Sequence, residues 1–429
     1  MKKVVFLFIW AFSPVLLTAQ QPTPGKPRIL ISTDIGGTDP DDNQSMTHFL
    51  MYADRFQTEG LISSPSYGDG TKQHLLDMIA LYEKDLPKLS RHNKNYPTPD
   101  ALRAVCKQGR HGAAPLKGFA TATEGSDWII RCARHKSQQP LWVLVWGGLE
   151  DLAQALHDAP EIQSNIKVCW IGGPNKKWSA NSYAYLVRNF PNLWFIEANG
   201  SYNGFFSNQG VPDSLRNEAY FDRYIQGAGH LGKDFKNYYK GIIKMGDTPS
   251  LLYLMDGNPA DPSKESWGGS FEKMKHSPRQ IFNRPTTQAD TVGVYSVVEL
   301  HFKGPHLPIA PDSACFTMRV QAQIGEQSWP GYYQGDGNYV ILYIPKQSET
   351  LTYTISSGIA DFPAHSGQFV VANQWPGQKG PDDFRVGSNW YTDRADPALF
   401  DGKQQGAKTV LKWRSAVLLD WARRWSWLR

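Results

Sequence analysis

Short apolar runs that end in glycine or acidic residues, each followed by a stretch of helical periodicity, fill the first part of the chain. Arg28-Ile29-Leu30-Ile31-Ser32 leads straight into an acidic loop, after which Met46, Phe49 and Leu50 fall on one helical face. Glu59-Gly60-Leu61-Ile62-Ser63-Ser64 repeats the pattern ahead of a second helix over 72–86. Leu141-Trp142-Val143-Leu144-Val145 runs into Trp146-Gly147-Gly148 and a helix over 149–157. Ile166-Lys167-Val168-Cys169-Trp170-Ile171 and Leu193-Trp194-Phe195-Ile196 are further continuous apolar runs. Strands buried on both faces of a parallel sheet read this way. The alternation predicts an α/β fold with a doubly wound, mostly parallel sheet over 27–273, and function at the carboxyl ends of its strands.

Beyond residue 274 the pattern becomes alternating and β-branched, at 292–302, 314–324, 339–344, 351–356 and 368–372. Turns such as Gly335-Asp336-Gly337-Asn338 separate the runs. They predict an antiparallel β-rich unit over 274–400. Helical spacing then returns over 407–425, with Val410, Trp413, Val417, Leu418, Trp421 and Trp425 on one stripe. Such a stripe needs a large apolar partner. The α/β core is that partner, which makes the β unit an insertion and 401–429 a C-terminal helix returning to the core.

Met1-Lys2-Lys3, an apolar run over 4–17 and Thr18-Ala19-Gln20 have the three zones of a signal peptide, so 1–20 predicts export to the periplasm or beyond. The run is short for a membrane span, and no later stretch is long and apolar enough to be one. Loss of Lys2 and Lys3 takes the formal charge from +5 to +3, too mild a surplus to argue for nucleic acid or an anionic membrane as partner. Cys106, Cys132, Cys169 and Cys315 show no zinc-like spacing. Export permits a disulfide, Cys106 and Cys132 being nearest in sequence, while Cys169 reads as a buried thiol; the pairing stays open. Aromatics at 13%, with 15 Trp, suit both sugar handling and packing.

The candidate chemistry lies in Ser32-Thr33-Asp34-Ile35-Gly36-Gly37-Thr38-Asp39-Pro40-Asp41-Asp42. Four carboxylates crowd a strand-to-helix junction, where mutual repulsion raises their pKa values unless a cation intervenes. A hard divalent ion answers this, and calcium, which takes roughly six to eight oxygen ligands, suits such a loop. Helix capping accounts for one or two of the four, not for all.

The run from Asp34 to Asp42 resembles the N-terminal aspartate motif of nucleoside hydrolases, though it is longer. With Thr123-Glu124-Gly125-Ser126, Trp146-Gly147-Gly148, Gly246-Asp247-Thr248-Pro249-Ser250, Trp267-Gly268-Gly269 and the Trp-Arg helix near the end, it is more similar to a secreted bacterial branch. That branch is described as nucleoside hydrolase-like, with members called cellulose-binding proteins. The resemblance implies a nucleoside hydrolase-like core and a bound Ca2+. It implies Asp34 as metal ligand and catalytic base, Asp42 and Asp247 as further ligands, and the Trp146 backbone carbonyl as another. Asp41 and Asn181 would hold the sugar. Asp247 reads equally as an N-cap from its local sequence, and Asn181 reads more readily as a surface-loop residue.

The implied reaction is attack of water on an anomeric carbon, hydrolysing the N- or O-glycosidic bond of a small-molecule nucleoside or glycoside. Gly246 stands where the family has the histidine that protonates the leaving base, which weighs against ordinary nucleosides. His230 offers itself for that role or for a structural one. A second reading is a non-catalytic carbohydrate-binding protein, polysaccharide included, with Trp329, Tyr332 and Tyr333 stacking on sugars. A third is a purely structural calcium site. Homo-oligomerisation is left open.

Overall fold

A computed structural model describes residues 25–429 apart from Thr38, Ile324, Pro363 and Ala364, so the leader over 1–20 lies outside the described residues. The chain lays down β1 (Arg28–Thr33), β2 (Gln57–Ser63), β3 (Cys106–Gln108), β4 (Leu141–Val145), β5 (Ile166–Ile171) and β6 (Trp194–Ala198) in succession, with helices between most of them. After β7 (Phe271–Lys273) come β8 (Arg279–Phe282), β9 (Thr291–Gly293), β10 (Val297–Lys303), β11 (Ala314–Ala322), β12 (Gly325–Gly335), β13 (Asn338–Tyr343), β14 (Thr350–Ser356) and β15 (His365–Ala372). Last is β16 (Trp390–Asp393).

The first sheet has the order β3-β2-β1-β4-β5-β6-β16-β7 and is parallel except where β16 meets β7. The order reverses between β1 and β4, the place where open α/β sheets leave a crevice. Strand residues divide between the faces with period two. Leu30, Val143 and Val168 join a core with the helices Glu124–Arg134, Glu150–Asp158 and Ala180–Asn189. Ile29, Ile31 and Leu144 join another with the helices Asp41–Met51, Lys72–His92 and Thr248–Met255. Trp421 and Trp425, both fully buried, bring the C-terminal helix Arg414–Ser426 into that second core.

The second sheet, β8-β10-β13-β12-β11-β14-β15-β9, is antiparallel except at its two edges. Its inner face, including Met318, Ile341 and Tyr353, is continuous with the first core.

Three features depart from the sequence reading, and the cysteine pairing it left open is answered. β16 lies within 274–400 yet belongs to the first sheet, because Trp390 stacks on Phe195 at 4.4 Å and pairs beside β6. The stretch around Trp329, which fell between the runs read as strands, is itself a long strand, β12. Trp329, Tyr332 and Tyr333 are buried, so their faces are not open for sugars. All four cysteines are free thiols, Cys106, Cys132 and Cys169 being buried.

Candidate metal centre and cavity

Asp34 is the first residue after β1, and Asp41 and Asp42 open the helix Asp41–Met51. Asp247 precedes the helix Thr248–Met255 from the far side of the sequence. The Asp247 side chain makes no cap bond. Its backbone N–H donates to Ser45 Oγ at 3.3 Å, and that hydroxyl lies 3.5 Å from its Oδ2. The packing of the two helices therefore aims Asp247 at the acidic loop. One carboxylate oxygen from each of Asp41, Asp42 and Asp247 lies within 4.8 Å of the others. Asp34 stands beside this trio.

Glycine makes the approach of Asp34 possible. A Cβ at Gly147 would lie 2.9 Å from Asp34 Cβ and 3.0 Å from its backbone N. Thus the strand-end glycine after Trp146 is a clearance for the aspartate. The Trp146 indole donates to Ser250 Oγ at 2.7 Å, and Ser250 in turn donates to the Asp247 carbonyl at 2.7 Å, tying β4 to the Asp247 turn. The Trp146 carbonyl accepts from Asn175 Nδ2 at 3.0 Å and keeps a second lone pair.

The electrostatics follow from this crowding. Burial pushes the Asp34 carboxyl up to about 6, opposed by its hydrogen bond with Asp42 and reinforced by the Asp39 charge. Burial, then the neighbouring carboxylates, raises Asp41, Asp42 and Asp247 well above the usual range. Asp39 differs: burial works against ionisation, but Asp41 and Lys244 hold its pKa below the usual value. Lys244 donates to Asp39 Oδ2 at 2.7 Å and to Tyr239 Oη at 3.0 Å. Oxygen-only donors in a tight, charge-deficient cluster match a hard divalent cation, so the residues present fit calcium's coordination preferences.

These groups form one end of a cavity of about 580 Å³, within the size range of small-molecule sites. Tyr67, Trp178, Tyr202 and Phe206 form apolar walls, and Gln327 and Lys346 enter from the inserted sheet. None of these six was singled out in the sequence, since loops and a second sheet bring them together without a local motif.

The expected residues fall into place unevenly. Asp34, Asp41, Asp42, Trp146 and Asp247 all line the cavity. Asn181 does not: it is buried in the helix Ala180–Asn189, and its amide donates to the Ala114 carbonyl at 2.9 Å. Asn175, one helix earlier, is the asparagine on the cavity wall. His230 is held at Asp85, whose carboxylate accepts from the His230 and Leu231 backbone N–H groups at 2.8 Å. It too is absent from the cavity lining. At Gly246 a Cβ would lie 2.6 Å from Asp41 Oδ2 and 3.0 Å from Phe206. Any side chain there would displace Asp41, so a histidine at this position is incompatible with the observed arrangement.

A domain of unknown function, DUF5060, matches residues 291–358, in the second sheet. No curated protein matches. Among solved structures, a nucleoside hydrolase-related hypothetical protein from Saccharophagus degradans, associated with carbohydrate metabolism, is 20% identical. The match covers 81% of this chain and 99% of that one, with a TM-score of 0.48. The inosine-uridine preferring nucleoside hydrolase from Bacillus anthracis is 17% identical over 59% of this chain and 86% of its own, with a TM-score of 0.36. A plant nucleoside hydrolase is 13% identical over 58% and 84%, with a TM-score of 0.32. The family described as cellulose-binding Sde182, nucleoside hydrolase-like domain, matches residues 28–271, more than half of the chain. The chain belongs to this nucleoside hydrolase-like family.

Proposed function

We propose that this protein is an exported, calcium-dependent hydrolase of an N- or O-glycosidic bond, acting in the cavity above Asp34. The observation that carries the reading is the convergence of Asp41, Asp42 and Asp247 within 4.8 Å at one end of a sugar-sized cavity. Such an ion, when bound, supplies Lewis acidity toward water and fixed positive charge beneath the sugar. Asp34, Asp42 and Asp247, with the Trp146 carbonyl, are the assigned ligands, and Asp41 offers a further oxygen at the same point. Asp41 contributes one oxygen to the cluster, which leaves its second for a sugar hydroxyl. Asp34, with its pKa raised toward neutrality by burial, takes the proton of the attacking water. The aromatic walls exclude solvent and cover the sugar's faces.

With Gly246 packed against Asp41, the reading favours substrates whose leaving group does not depend on a histidine acid. Purified protein incubated with Ca2+ and a panel of nucleosides and aryl glycosides is expected to release sugar, with release lost on chelation and in Asp34→Asn. Absence of any turnover across the panel defeats the enzyme reading.

The family's description as cellulose-binding favours a second reading, in which the same cavity binds carbohydrate without turnover. It predicts calcium-dependent retention on insoluble cellulose with no released sugar. Because Trp329, Tyr332 and Tyr333 are buried, that binding would belong to the cavity and not to the face of the inserted sheet.

A further inference from the structure

The two ends of the cavity are oppositely charged, and only the acidic end has its lysine paired with a carboxylate. At the metal end Lys244 is tied to Asp39. At the other end Lys346, just after β13, lines the cavity together with Gln327 of β12. Behind them Lys177, from the helix Gly173–Trp178, is only 3% exposed and donates to Gln327 Oε1. Its ammonium lies 5.3 Å from the ring centre of Trp329, 5.5 Å from that of Trp178 and 5.6 Å from that of Tyr343.

Lys346 is close enough to Lys177 to repel its charge. Glu349 offsets part of this, but its carboxylate accepts from the Gln323 backbone N–H at 2.8 Å. Among the described residues, no carboxylate forms an ion pair with either ammonium. A buried ammonium facing an amide oxygen and aromatic rings is an incompletely compensated charge, and proteins ordinarily pair such groups. Beside it, Tyr67, half-exposed, stacks on Trp178 at 4.1 Å, giving the same wall an apolar platform.

We propose that this wall, built where the inserted sheet meets the core, is a subsite for an anionic sugar. Lys346 and the Lys177–Gln327 pair would hold a carboxylate, a sulfate ester or a phosphate ester while the ring lies against Tyr67 and Trp178. The inference rests on the sugar-site reading above and narrows its substrate class from glycosides in general to acidic ones. It also gives the inserted sheet a task that the α/β core cannot perform alone, since Gln327 and Lys346 both belong to the insertion.

The test is titration calorimetry on the calcium-loaded full chain with glucose, glucuronate, glucose 6-sulfate and glucose 6-phosphate at fixed ionic strength. At least one charged sugar is expected to bind about ten-fold or more tightly than glucose, the increment of a charge-assisted contact. Which of the three binds best identifies the anion. Lys346→Gln, at a partly exposed position and checked by an unchanged Tm, should remove most of that preference and leave glucose affinity within about two-fold. Lys346→Glu should reverse it. A preference that survives Lys346→Gln belongs to the calcium and overturns the subsite. Equal binding of glucose and all three acids also overturns it but leaves the sugar-site reading standing. Failure of every sugar to bind overturns both.

Discussion

At the scale of single residues, the acidic loop is a set of carboxylates that fold into each other's fields. Replacing Asp34 by Asn keeps its shape and removes its basicity. Turnover should fall by about 10²–10⁴-fold, the range for loss of a general base, with little change in Tm. A rate unchanged in single-turnover assays would remove Asp34 from the chemistry. The same fields set a linkage between pH and metal. In the metal-free protein burial raises Asp34 to about 6, and burial together with the neighbouring carboxylates holds Asp41, Asp42 and Asp247 well above the usual range. Between the ordinary carboxylate range and these raised values the folded state holds more protons than the unfolded one. Its stability therefore declines as pH rises through that window and is regained on acidification. Bound calcium, on the proposed reading, would supply the positive charge that protons supply at low pH. Its stabilisation in a thermal melt should be larger at pH 7 than at pH 5. A calcium-induced Tm shift that is independent of pH would separate the ion from these aspartates.

At the scale of elements, the C-terminal helix Arg414–Ser426 shows how a late segment fixes an early one. Arg424 reaches the Met51 carbonyl at 2.7 Å and Tyr96 Oη at 2.6 Å, and pairs with buried Asp54. Asp54 follows the helix that carries Asp41 and Asp42. Arg424→Met leaves Asp54 buried without its cation and should cost about 3–5 kcal/mol in denaturant unfolding. A loss below about 1 kcal/mol would make the pair incidental. The stripe of Val417, Leu418, Trp421 and Trp425 was legible in the sequence because a long helix repeats its period several times. β1, β4 and β5 were legible because a parallel strand buried on both faces is a continuous apolar run. β12 was not, since its Trp329-Pro330-Gly331 centre carries turn residues and gains strand geometry only by pairing with β11 and β13. β16 is four residues long, and its place beside β6 is a long-range contact that no local pattern encodes.

Across the whole molecule, the inserted sheet and the α/β core share one apolar cluster and a buried polar joint, and the site depends on both. The acidic end of the cavity was legible because five of its groups stand in or beside compact motifs: Asp34, Asp41, Asp42, Trp146 and Asp247. The basic and aromatic end was not, because Tyr67, Trp178, Gln327 and Lys346 meet only in three dimensions. Near the joint, fully buried Lys176 pairs with Glu197 at 2.6 Å, and Tyr183 Oη bridges Glu197 Oε2 at 2.9 Å to Ser277 Oγ at 2.7 Å. Ser277 in turn pairs with Phe384 across the two ends of the insertion. If the sheet were an appendage it would melt separately. Because its core is continuous with that of the α/β layer, calorimetry should instead show one transition, with tryptophan fluorescence and near-ultraviolet dichroism changing together. Lys176→Met removes a cation and leaves Glu197 buried, so it should lower the whole transition by about 3–5 kcal/mol without splitting it. Two resolved transitions, in the parent protein or in Lys176→Met, would mean that the cavity is assembled from two independently stable units. The basic, anion-binding wall would then open and close over the acidic cluster instead of being fixed beside it.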